Sequence, residues 1–279
     1  MLGKLLKHEF RATGRTMLPV LGVLTALVVL ANLVVRFGDQ IISRYRLAAV
    51  LFALIVAAAV FGVIAAEVMA IVVMVQRFYK NLLGDEGYLM HTLPVSVHSL
   101  IWSKLIVSLV WIFATNLVIF LLGTLSVVNL GDLSVGQIMT GFPSAEEIRE
   151  AMAKLGINRM DLWLLILEAI LIVLCSGLIT CLHFYAAMSL GHMFTQNKIL
   201  MSIVFFVGIN FLFSAMGGIL GTVSIQFNAD RFFMESSTVL DGLRQMRMMM
   251  NSMLGYSLVQ GLILYIATAL GLQKGLNLA

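Results

Sequence analysis

Long apolar stretches alternate with shorter polar ones along this chain, and that alternation sets the first reading. A helix needs about 20 apolar residues to cross a bilayer core. Six runs qualify: residues 17–35, 47–75, 105–128, 162–188, 199–225 and 252–272. Four carry no formal charge, while 47–75 holds Glu67 and 162–188 holds Glu168 together with His183. A chain in lipid must satisfy its own backbone hydrogen bonds, which helices do and which barrels do only through short alternating segments. Such segments are absent. The pattern predicts an all-α polytopic membrane protein, one transmembrane domain over 1–279, with six spans and both termini on one side.

The polar stretches refine this topology. Residues 1–15, MLGKLLKHEFRATGR, place Leu2, Leu5, Leu6 and Phe10 on one helical face and Lys4, Lys7, His8 and Arg11 on another. That predicts an N-terminal amphipathic helix lying in the membrane interface, distinct from the span at 17–35. The eighteen Lys and Arg residues divide evenly between the two sides. The basic flank of the first span then decides orientation and places both termini in the cytoplasm. Loops 36–46, 129–161 and 226–251 fall outside; 76–104 and 189–198 fall inside. Within the second outer loop, PSAEEIREAMAKLG (143–156) reads as a short helix, with acids in its first turn and Gly156 at its end.

Composition agrees with lipid as the principal solvent. Hydrophobic residues make up 61% of 279 and charged residues 11%, against about a quarter charged in soluble domains. Mean hydropathy is +1.01. Net charge is +4, with no basic surface of interleaved aromatics for nucleic acid. Cys175 and Cys181 sit on different faces of one apolar run, a spacing that supports neither a disulfide nor a metal pair.

Candidate chemistry is sparse. No phosphate-binding glycine loop, zinc-binding helix signature or nucleophile elbow occurs, so the chain carries no catalytic site and no cofactor of its own. Glu67 and Glu168 are expensive to place in lipid unless paired, protonated or facing water. They are candidates for a transport path, or else hydrogen-bonded packing residues. His183 reads as a hydrogen-bonded packing residue. Met246, Met249, Met250 and Met253 share one helical face; thioethers bind soft metals, but with no Cys or His nearby the stripe reads as packing or lipid-facing surface. Gly217 and Gly221 form a G-x-x-x-G pair and Ser214 and Gly218 a second small pair, permitting close helix approach.

The most elaborate polar stretch is RFYKNLLGDEGYLMHTLPVSVHSLIWSKL (77–105). Gly84 and Gly87 interrupt the helical pattern, Asp85 is placed to cap a short helix, and Pro94 holds Leu93 extended. Ser96 is placed to cap the next span. A short crosswise helix presenting Tyr88 and Leu89 results.

With the basic start KLLKHEFRATGR, the segment AAMSLGHMFTQNKIL (186–200) and the six-span count, this stretch resembles the six-span permeases of bacterial ABC-type exporters, the type-2 membrane family. The motifs cover some fifty residues and none is catalytic. The resemblance implies that loop 76–104 carries a coupling helix, Asp85, Glu86, Gly87, Tyr88, Leu89 and Met90, docking on a separate ABC ATPase. It implies a supporting second inner loop with His192, Gln196 and Lys198, ATP and Mg on that ATPase, and pairing with a second permease copy or a paralogue. The chain would then be an exporter subunit in the cell membrane. Two other readings stand beside it: an ion-coupled secondary transporter using Glu67 and Glu168, and a non-transporting membrane scaffold or immunity protein.

Overall fold

The computed structural model of the chain describes residues 2–37, 46–84, 87, 95–130, 146, 150, 153, 158–194, 196–234 and 239–274. Six long helices account for nearly all of them: α1 (Leu2–Phe37), α2 (Arg46–Phe78), α3 (Val97–Leu130), α4 (Arg159–Gly191), α5 (Lys198–Met234) and α6 (Val239–Lys274). No strand occurs among the described residues. All six helices are long and apolar enough to cross a membrane. The fold is therefore all-helical, and the protein is a multi-pass membrane protein. Large apolar side chains exposed along the helices, Phe211, Phe61 and Phe120 among them, are surface that lipid would cover.

Each helix overruns the apolar run that predicts it. The overrun is largest at the N-terminus, where no break separates residues 1–15 from the span expected at 17–35. α1 is continuous from Leu2 and carries Pro19 inside it. The reason lies in its inward face: Glu9, Thr13 and Met17 are buried, while Lys4, Lys7, His8, Arg11 and Arg15 are exposed. The Glu9 carboxylate is ion-paired with Lys104 on α3, and Trp111 Nε1 donates to Thr13 Oγ1 at 2.8 Å. The amphipathic pattern thus docks a helix on protein. The other long polar intervals shrink too, with α5 and α6 running into the expected outer loop 226–251. The short helix expected over 143–156 lies largely outside the described residues.

The chain divides into two compact units, residues 1–77 with 102–144 and residues 78–101 with 145–279. In the first, the bridges Glu9–Lys104, Thr13–Trp111 and Asn32–Ser126 keep nearly the same sequence offset, so α1 and α3 run parallel. α2 runs antiparallel to α1: Met17 packs with Ala70 and Val73, and Leu24, Val28 and Ala31 pack with Ala66 and Ala59. Alanines on α2 let the backbones approach, and burial of the larger partners supplies dispersion contacts.

In the second unit α4 and α5 form an antiparallel hairpin. Phe184 stacks on Phe206 with centroids 4.6 Å apart, and Gly191 lies so close to α5 that an added Cβ would fall 2.5 Å from the Ser202 amide nitrogen. Asn197, at φ 53°, takes the left-handed conformation as α5 begins, which Asn tolerates better than most residues. α6 runs parallel to α4, with Arg247 beside Asp161 and Glu168, Gln260 beside His183, and Gly271 against Ser189. Tyr256 Oη donates to the Phe213 carbonyl at 2.5 Å, covering Gly217. Gly217 of the predicted small-residue pair therefore faces α6 of the same chain, whereas Gly218 and Gly221 border open space. Met246, Met249 and Met253 are exposed along α6 and Met250 is half-buried.

Candidate functional site

The stretch between α2 and α3 is shorter than the sequence pattern predicts, because both helices grow into it and leave residues 84–96 between them. α2 does not stop at Phe78 but changes pitch. Tyr79–Leu83 form one π-helical turn, closed by the Gly84 amide donating to the Tyr79 carbonyl at 2.8 Å. Single π turns in α-helices recur at functional sites. This one buries three consecutive residues, Asn81, Leu82 and Leu83. Gly84 then turns to extended backbone (φ −89°, ψ −166°), which ends the helix where the sequence predicts a break.

Gly87 follows in helical conformation, its amide donating to the Gly84 carbonyl at 2.8 Å. It is buried, and a Cβ there would lie 2.7 Å from the Leu82 carbonyl oxygen. Only glycine allows that approach of backbone to backbone. Of the predicted coupling helix, Asp85, Glu86, Tyr88, Leu89 and Met90 lie outside the described residues. At the far end Ser96 caps α3 as predicted: its Oγ accepts from the Ser99 amide at 3.3 Å, satisfying one of the free donors of a helix start.

Both flanks of this stretch are anchored within the second unit. Phe78 and Tyr185 are wholly buried and stack with centroids 4.0 Å apart at 11°. Tyr79 meets the His192 ring edge-on at 5.2 Å. Beyond the gap, His98 Nδ1 lies 2.7 Å from Tyr265 Oη on α6. The structure therefore brings His192, predicted on the second inner loop, against the first. Gln196 is exposed and Lys198, at the start of α5, is half-buried.

His192 is the most unusual group here. It is buried, and since a carbonyl can only accept, its Nδ1–H donates to the Met188 carbonyl at 2.9 Å. Nε2 is then an acceptor, fully buried and without a hydrogen-bond partner among the described residues. Burial pushes the imidazole pKa down, the Lys198 charge adds to that, and the Met188 bond opposes it. The ring is therefore neutral at pH 7.

The two predicted carboxylates fall in different units and different settings. Glu67, on α2, is half-buried and has no hydrogen-bond or ionic partner among the described residues. Glu168, on α4, is buried, with Oε1 accepting from Arg247 Nε and Asn251 Nδ2, each at 3.4 Å. Arg247 also reaches Asp161 at 3.2 Å. His183 is a hydrogen-bonded packing residue, donating to the Ile179 carbonyl at 3.0 Å and lying 3.3 Å from Gln260 Nε2. Among the described residues no three His, Cys, Asp or Glu side chains gather as a metal site would require.

Sequence reasoning missed Tyr79, Tyr185 and Tyr265 as anchors and Glu9 and Lys104 as a buried pair. Lys104 carried a signal: Ile101, Leu105 and Ser108 flank it at helical spacing, placing it inside α3 and not in a loop. No protein-family model, curated protein or solved structure matches the chain.

Proposed function

We propose that this chain is the membrane-spanning permease subunit of an ATP-driven exporter of the ABC type, in the cell membrane with both termini cytoplasmic. A separate ATPase, carrying ATP and Mg, supplies the energy. It docks on the stretch after α2, through Asp85, Glu86, Gly87, Tyr88, Leu89 and Met90, and a second permease copy or a paralogue completes the transporter.

The observation that supports this reading most is the anchoring of that stretch. Its entrance is stacked on α4 through Phe78–Tyr185 and Tyr79–His192, and its exit is tied to α6 through His98–Tyr265. A stretch that only connects spans has no need of such anchors at its ends. A handle does, because a push on it is passed through Phe78, Tyr79 and His98 to α4 and α6. The His192 loop, packed under Tyr79, extends the same surface.

Co-purification with a soluble ATPase tests the proposal. Wild-type protein should retain the ATPase and stimulate its turnover, and Tyr88→Ala with Leu89→Ala should lose both. Retention of the complex and of stimulated activity by that double variant would sink the coupling assignment.

The alternative, an ion-coupled transporter using Glu67 and Glu168, is favoured only by the unpartnered Glu67. Glu168 is held by Arg247 and Asn251, which suits a fixed structural charge better than a site that loads and unloads. Transport that continues without ATP and stops with Glu67→Gln would select this alternative.

A further inference from the structure

The first unit contains a cavity of about 310 Å³ between α1, α2 and α3. It lies toward the end of the unit where α1 and α3 finish and α2 begins, and Val28, Val35, Val56, Val63, Ile119 and Leu122 supply most of its wall. Two polar side chains, Asn32 and Ser126, border it, and both are occupied. Asn32 Nδ2 donates to the Val28 carbonyl at 2.8 Å and to Ser126 Oγ at 2.9 Å. Ser126 Oγ in turn donates to the Leu122 carbonyl at 2.9 Å. The wall therefore presents carbon to whatever sits inside.

A space of this kind does not hold water, which needs two to four polar partners; an engineered cavity of about 150 Å³ stays dry and takes up benzene. This cavity has twice that volume. Left empty, its lining would forfeit dispersion contacts on one side. The mouth decides the occupant. Val60, which borders the cavity, is 57% exposed, and around it on α2 stand exposed Leu54, Phe61 and Ile64. No charged side chain lies between Leu47 and Ala66. On a helix that crosses a membrane, the medium touching that mouth is acyl chain.

We infer that the α1–α2–α3 cavity is a binding site for one acyl chain of a bilayer phospholipid, whose headgroup stays outside at the membrane surface. The site selects by shape and apolarity alone. Its occupant fills the gap between three helices held together along this stretch mainly by alanine and valine contacts.

Gly123 makes the inference testable, because it borders the cavity and a Cβ added there meets nothing within 4 Å. Gly123→Leu starts from that open position and puts an apolar side chain at the cavity. Full-length protein reconstituted in palmitoyl-oleoyl phosphatidylglycerol vesicles would be extracted in mild detergent, and retained lipid counted by quantitative mass spectrometry. Wild-type protein should retain one more phospholipid per chain than Gly123→Leu. Stripped wild-type protein should gain several degrees in Tm when that lipid is returned, and Gly123→Leu should not. Val60→Phe narrows the mouth from an exposed position and should lose the same lipid, so a folding defect in one variant does not end the test. Equal lipid counts and equal Tm gains in wild type and both variants overturn the site. Retention of an apolar compound that is not a phospholipid, displaced by Gly123→Leu, overturns the lipid assignment in favour of a free apolar ligand.

Discussion

Lys104 of α3 is ion-paired with Glu9 of α1, and both side chains are almost completely shielded. A buried pair of this kind gains little over an apolar pair of the same volume, but breaking it strips a shielded charge of its ion-pair partner. Lys104→Met should therefore cost about 3–5 kcal/mol of stability, read as loss of Tm or of monodisperse protein in detergent. Glu9→Leu combined with Lys104→Met should recover most of that loss. A single variant as stable as wild type would show that the pair is solvated.

Gly87 has backbone 2.7 Å from where a Cβ would stand, and backbone cannot rotate away as a side chain can. Gly87→Ala should open the turn after α2, raising protease cleavage between residues 84 and 96 and weakening ATPase capture at least tenfold. Gly84→Ala is the control. Its backbone is extended and its nearest added contact is 3.2 Å, so its effect should be much smaller. Equal behaviour of the two variants would show that the close approach of Gly87 to Leu82 is not what shapes the turn.

Arg247 serves two carboxylates, Asp161 and Glu168, and Glu168 is the more buried of them. Arg247→Gln should destabilise the protein by about 1–3 kcal/mol, the usual range for a buried polar group that loses a hydrogen-bond partner, with Asn251 still donating to Glu168. Adding Glu168→Gln should restore part of it. The readout is Tm in detergent for the single and double variants. If Arg247→Gln leaves Tm unchanged, the contacts at 3.2 and 3.4 Å carry no weight.

His192 sets a pH dependence with a definite sign. Its folded pKa lies below the ordinary value, through burial and then the Lys198 charge, so the unfolded chain binds a proton more readily. The stability tied to the neutral ring is complete above about pH 6.5, the unfolded value, and is lost as pH falls through the lower folded value. Wild-type Tm should drop from pH 7.5 to pH 5 more steeply than that of His192→Gln. Tyr79, packed edge-on against the ring, should become more reactive over the same range. Parallel Tm curves for the two proteins would remove His192 as the cause.

Six spans were legible because hydropathy reports where lipid must be, and each predicted run lies inside an observed helix. Their ends were not. α1 begins at Leu2 because Glu9 and Thr13 find partners on α3, and α6 reaches back to Val239, its early residues Arg247 and Asn251 having partners on α4. A one-dimensional pattern scores such residues as loop, since their partners are far away in sequence. Gly84 and Ser96 were readable for the opposite reason: a helix stop and a helix cap are local events. The aromatic anchors joined residues more than a hundred positions apart, as with Phe78 and Tyr185, and no local signal marks such a pair.

The π turn at Tyr79–Leu83 gives the junction a sensitivity to counting. One residue more than an α-turn holds is wound into it, and each residue of a helix advances its direction by about 100°. Deleting a single residue there would let the helix revert to ordinary pitch with Gly84 nearly in register, whereas the same deletion in the ordinary helix before it would swing Gly84 roughly a quarter-turn aside. Composition, charge and hydropathy would hardly change. The spans would still insert, and the proposed docking surface would point the wrong way.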